Sequence, residues 1–176
     1  MYTFIPAENV ADEIAFERQV MEYRPTALVI ARERSTSSFL LVQPEKEDSL
    51  CLWPVQGGIG LEETVEQAAS RELQEEVNGL ICPDWATVLG GMRYRTQTRD
   101  GYSQGKLLVA VHVNVSLDNV SARNVQVVPG EVKRIAYVPA GDVLQQMEEN
   151  RVLRPKTHEK VEFLKIMYAH VLKRWP

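Results

Sequence analysis

Three glutamates, Glu72, Glu75 and Glu76, stand beside Arg71, and the glycines Gly57, Gly58 and Gly60 precede them. On a helix that advances about 100° per residue, Glu76 falls about 40° to one side of Glu72 and Glu75 about 60° to the other, so the three carboxylates share one sector. Like charges that close raise one another's pKa values unless a cation lies among them. A hard divalent cation, Mg²⁺ or Mn²⁺, answers that need with oxygen ligands and with waters that phosphate oxygens replace. Such an ion polarises a phosphoryl group and activates a water for in-line attack. Glycines, read here as a loop, let backbone approach a ligand with no Cβ in the way. Arg71 suits a bidentate carboxylate pair or a phosphate contact. A glutamate-rich helix face with one arginine is by itself only a solvated surface with marginal ion pairs. The glycines and the interval from Glu63 to Arg71 favour a site instead.

The elements that must position these residues follow from pattern. Thr64 with Gln67 three residues on is a capping box, and Val65, Ala68, Ala69, Leu73 and Val77 recur at helical spacing. Asn78-Gly79 predicts a left-handed helix end. Residues 9–22 predict a helix, stopped by Tyr23-Arg24-Pro25. Residues 26–31 and 39–42 predict a hairpin or two adjacent strands around a polar turn. Residues 87–98 and 106–117 predict two more, and the nearly unbroken apolar run 107–113 marks the second as central and covered on both faces. Residues 131–138 alternate like an edge or half-buried strand, and Asp142 and Thr157 stand where they would cap two last helices. Strands interspersed with a few helices give a mixed α/β sandwich.

The 176 residues fit one domain, 1–176, with residues 1–22 as an N-terminal helical extension. No run is apolar and long enough to cross a bilayer. The start of the chain lacks the basic and apolar regions of a secretory signal. Cys51 and Cys82 have neither zinc-site nor disulfide-framework spacing, so reduced thiols in a cytoplasmic protein are expected. Net charge is -4, so any attraction for a polyanion must be local. Arg95 and Lys106 are cations expected to meet phosphate, and Tyr94 is an aromatic expected to stack on a base.

Gly57, five residues, Glu63, seven residues, Arg71-Glu72-Leu73, one residue, Glu75-Glu76 resembles the Nudix box. Asn78 stands where that family usually has glycine, and asparagine tolerates the same left-handed turn. The resemblance implies an α/β/α sandwich with a mixed β-sheet and hydrolysis of a nucleoside diphosphate linked to another group. It implies Mg²⁺, with Mn²⁺ as substitute, held by Glu72, Glu75 and Glu76 with the Gly57 backbone. Arg71 then orients a box glutamate, Glu63 is structural, and Glu72 or Glu76 serves as base. Gln56-Gly57-Gly58-Ile59 and Tyr23-Arg24-Pro25 are similar to the branch that hydrolyses RNA 5′-pyrophosphate or dinucleoside polyphosphates, and that similarity implies that Arg24 faces the substrate. Glu131 resembles the late glutamate that joins the metal or acts as base in that branch. Those two substrates are therefore expected ahead of nucleoside triphosphates or ADP-ribose. A catalytically silent nucleotide-sensing module of the same fold is the alternative, and monomer or homodimer stays open.

Overall fold

Two strands at the centre of the sheet are buried nearly end to end. They are β2 (Tyr23–Glu33) and β7 (Gly105–Val115), and they run parallel, with Arg24 opposite Lys106 and Leu28 opposite Ala110. In this computed structural model residues 3–46, 50–78, 86–98, 100–115 and 126–176 are described. Successive side chains on a strand point to opposite faces. Ala27, Val29 and Ala31 of β2 therefore join one core with Leu107, Val109, Val111 and Val113 of β7. Leu28 and Ile30 join a second core with Leu108 and Ala110. A sheet covered on both faces favours apolar residues along the whole strand, which accounts for the nearly unbroken run 107–113 in β7, interrupted only at His112.

Helices cover both faces. Residues from α1 (Val10–Val20) and α2 (Val65–Glu76) fill the first core, including Ile14, Ala68 and Leu73. Residues from α3 (Val143–Leu153) and α4 (His158–Arg174) fill the second, including Met147, Phe163, Leu164 and Tyr168. The result is the expected α/β/α sandwich. The sheet is mixed. Its order is β1 (Phe4–Pro6), β6 (Ala86–Arg95), β7, β2, β3 (Ser38–Pro44) and β9 (Val132–Pro139), and β4 (Val55–Gly58) pairs with β2 off that path. The β2–β3 pair is the expected hairpin, and β9 is the expected edge.

Several boundaries differ from expectation. The segment read as a helical extension also supplies β1, an edge strand on β6. Its helix ends at Val20, with Met21 left-handed at φ 58°. Gly57 and Gly58 are strand residues of β4, opposite Ala27 and Thr26, and not a loop. Helix α2 stops at Glu76, because Val77 turns extended, at φ -129°, and Val77–Asn78 form a short strand β5 with β8 (Gln126–Val127). Asn78 is thus a strand residue and no left-handed cap, while Gly79, Cys82 and most of the polar stretch before Gly130 lie outside the described residues. Asp142 and Thr157 hold the N-cap positions of α3 and α4 without a capping side-chain bond.

The start of α2 matches its sequence. Thr64 accepts from the Gln67 N–H at 3.1 Å, and the Gln67 side chain accepts from the Thr64 N–H at 2.9 Å. Thr64→Ala removes one half of this box and is expected to lower the unfolding free energy by about 1 kcal/mol, read from the urea midpoint at constant slope.

Candidate active site

Arg71 organises the first turns of α2. Its Nε and Nη2 donate to the two Glu63 carboxylate oxygens at 2.8 and 3.0 Å. Nη1 donates to Glu72 at 2.6 Å and to Glu75 at 3.0 Å, and Nη2 also donates to the Gly58 carbonyl at 2.7 Å. The Glu63 carboxyl is held below its usual range by the Arg71 bonds and, less, by the Gly60 N–H. The Arg71 guanidinium is held still more firmly charged, first by Glu63.

Glu72 and Glu76 face inward. Glu72 is buried, and that burial raises its pKa against the opposing pull of Arg71. Glu76 is pushed up to about 8, by burial first and then by the Glu72 and Glu131 charges, with the Gln56 N–H partly offsetting them. Glu75 is different. It is exposed, and its carboxylate turns to Arg71 as an i,i+4 pair, so the shared sector of the helical wheel does not become one shared set of side chains.

Glu131 lies in the turn before β9. Its position is set by backbone: its carbonyl accepts from the Glu45 N–H at 2.9 Å, and its own N–H donates to Val128 at 3.1 Å. The β5–β8 pair fastens the approach to this turn onto the end of α2. Glu131 thereby lines the same cleft, of about 570 Å³, as Glu72 and Glu76.

Gly57 and Gly58 serve close approach. A Cβ at Gly57 would stand 1.8 Å from the Glu72 carboxyl carbon, and one at Gly58 would stand 2.4 Å from an Arg24 nitrogen. Neither glycine has a positive φ. Backbone, carboxylate and guanidinium are therefore stacked as tightly as glycine permits.

The cations of the cleft come partly from expected positions. Arg24 and Lys106, adjacent in register, both line the cleft. Arg24 also forms an ion pair with Asp100 at 2.9 Å. Arg95 is exposed at the end of β6 and is not part of the lining, although Thr96 and Gln97 beside it are. Tyr94 does not line it either: its hydroxyl donates to the Lys156 carbonyl at 3.2 Å, and its ring packs against the core under α4.

Two lysines were missed by the sequence reading, Lys46 and Lys160. Lys160 is buried, with Nζ donating to Gln56 at 2.8 Å and lying 4.4 Å from the centre of the Trp53 ring. A signal existed. Lys160 precedes Phe163, Leu164 and Met167 at helical spacings, so a cation sits on the buried stripe of α4.

Among the described residues, no three acidic, histidine or cysteine side chains stand in an arrangement that already surrounds a metal ion. The donor set nevertheless fits a hard divalent cation. It consists of carboxylate and carbonyl oxygens, and the Glu72 and Glu131 charges both act on Glu76.

The NUDIX domain family model matches residues 22–159, and the chain belongs to the Nudix family. It is an enzyme of the class that hydrolyses phosphoanhydride bonds. Nudix enzymes generally need divalent metal ions and bind nucleotide substrates. Among solved structures, the chain is similar to the MutT protein from Methanosarcina mazei Go1, at 16% identity over 70% of this chain and 82% of that one, with a TM-score of 0.48. It is similar to a C. elegans Ap4A hydrolase in a binary complex, at 18% identity over 79% and 97%, with a TM-score of 0.48. It is also similar to the E. coli dihydroneopterin triphosphate pyrophosphohydrolase, at 19% identity over 71% and 88%, with a TM-score of 0.46. A search for similar sequences among curated proteins returns no match. Among the described residues no helix is long and apolar enough to cross a membrane.

Proposed function

We propose that the chain, as a single domain with an N-terminal extension, is a cytoplasmic pyrophosphohydrolase of nucleoside-diphosphate-linked substrates that works with Mg²⁺ or Mn²⁺. Dinucleoside polyphosphates and 5′-triphosphorylated RNA lead, ahead of nucleoside triphosphates and ADP-ribose. One observation carries the reading: a single cleft holds Glu72, Glu76 and Glu131 together with Arg24, Lys46, Lys106 and Lys160. Acids to hold a cation and bases to hold a polyphosphate belong together only where the two ligands meet.

In this reading Glu72, Glu76 and Glu131 hold the cation with the Gly57 backbone, and Glu75 reaches it only by leaving Arg71. When bound, the ion polarises the phosphoryl oxygens and makes its water a better nucleophile. Arg71 keeps the Glu72 carboxylate in place through its 2.6 Å bond. Arg24 and Lys106 orient the phosphates. Lys46 and Lys160 extend that cationic wall toward a longer phosphate chain, which favours polyphosphate substrates. Glu76 and Glu131, which both line the cleft, are the carboxylates placed to take the proton of the attacking water. Tyr94 and Arg95 have no part in this reading.

The test is a hydrolysis panel with Mg²⁺ or Mn²⁺ over dinucleoside polyphosphates, triphosphorylated RNA, nucleoside triphosphates, ADP-ribose and nucleotide sugars. Turnover highest on the first two is the expected result. Tight nucleotide binding with no turnover of any member replaces the reading with a silent sensing module.

A further inference from the structure

Helix α1 precedes the residues that the family model matches, 22–159, yet it touches the approach to the carboxylate helix. Arg18 Nη2 donates to the Gly60 carbonyl at 2.5 Å and to the Glu63 carbonyl at 3.4 Å. These carbonyls bracket one turn. The turn is closed by the Glu63 N–H on the Gly60 carbonyl at 3.2 Å and by the Gly60 N–H on the Glu63 carboxylate at 2.9 Å. That carboxylate is the one that grips Arg71, and Arg71 in turn holds Glu72.

The helix that carries Arg18 is itself fixed. Glu17, fully buried, accepts from the Tyr23 N–H at 2.8 Å and from Arg93 Nε at 2.7 Å. Arg93 reaches Glu13 with its other arm. So α1 is anchored to the starts of β2 and to β6 at one residue, and it presses on the box turn at the next.

We propose that Arg18 is a positioning residue for the hydrolytic site: from outside the matched domain it clasps the turn at residues 60–63, so that Glu63 and Arg71 present Glu72 at one place. The inference rests on the reading of Glu72 as a cation-holding carboxylate. The contact adds little net stability. The Gly60 carbonyl bond is exposed, and Arg18 Nε is buried with no hydrogen-bond partner among the described residues, which opposes the gain from the carbonyl bonds. Its effect is therefore on the order of the turn more than on the fold.

The experiment uses the full chain with Arg18→Met, which keeps the apolar stem, and Arg18→Lys, which restores one donor. Without metal, Arg18→Met is expected to speed amide exchange at Gly60 and Glu63 about tenfold. The thermal midpoint should stay within about 3 °C of wild type. The Mn²⁺ concentration for half-saturation, titrated without substrate, should rise about three- to tenfold, below the range for a direct partner of a metal ligand. Arg18→Lys should recover part of both shifts. Unchanged exchange at Gly60 and Glu63 overturns the clasp, and so does faster exchange with Mn²⁺ binding as in wild type. A lowered midpoint with unchanged Mn²⁺ binding by the folded protein also overturns it. Should Arg18→Met not fold, the exchange and Mn²⁺ titration of Arg18→Lys decide by the same criteria. Wild-type protein that binds no Mn²⁺ sinks the functional reading instead, which separates the two failures.

Discussion

Glu76→Gln is expected to lower kcat by about 10³-fold or more, because it removes a charged oxygen donor from the proposed cation site. It should also leave the metal-free protein more stable than wild type at pH 8. The two effects have one cause. The Glu76 carboxyl, pushed up to about 8 by burial and then by Glu72 and Glu131, starts from an ordinary value of 4.5. A carboxyl whose pKa is raised by folding keeps its proton in the folded state over a range where the unfolded chain has lost it. With respect to this group, stability is full below about pH 4.5, falls as pH rises toward 8, and levels off above. Glutamine does not titrate, so the variant escapes that fall, a gain of about 3 kcal/mol at pH 8 after allowance for residual solvent access. Urea denaturation of both proteins at pH 5 and pH 8, without metal, reads the difference. Full activity in the variant, or identical pH dependence of stability, would remove Glu76 from the site.

Gly57→Ala should produce the second large effect by a different route. The added methyl would stand 1.8 to 2.1 Å from the Glu72 carboxyl atoms. Those atoms end a flexible side chain, so the clash is relieved by turning the carboxylate away and not by unfolding the strand. Gly57 has no positive φ, so alanine meets no backbone penalty there. The expected result is loss of activity by about 100-fold, the scale for a displaced reacting group, with the thermal midpoint close to wild type. A variant equally active would mean that the position of Glu72 against β4 is irrelevant. A variant that unfolds would place the glycine's importance in the fold.

What the sequence disclosed and what it hid divide along physical lines. Helix α2 was legible because its determinants are local: Thr64 and Gln67 are three residues apart, and Ala68, Ala69 and Leu73 lie on one face. The central place of β7 was legible because burial on both faces leaves a nearly unbroken apolar run. The end of α2 was not legible. Asn78 is a plausible cap, but Val77–Asn78 is claimed by pairing with Gln126–Val127, a partner about fifty residues away in sequence. The glycines read as a loop because nothing local marks β4, whose order comes from its pairing with β2. The alignment of Arg24 with Lys106 rests on a parallel register that no local pattern encodes. Glu75 followed the helical wheel in direction but not in partner, because Arg71, four residues earlier, captures it.

The cleft that brings acids together with Arg24, Lys46, Lys106 and Lys160 has a thermodynamic consequence. In the proposed reading, a cation settled among the acids relieves a repulsion that an arriving polyanion would feel, and a polyanion settled among the bases does the same for the cation. The two ligands are then coupled. By linkage, whatever factor the cation adds to the affinity for the polyphosphate is the factor that the polyphosphate adds to the affinity for the cation. Neither affinity is a fixed property of this protein, and each has a value only at a stated concentration of the other ligand.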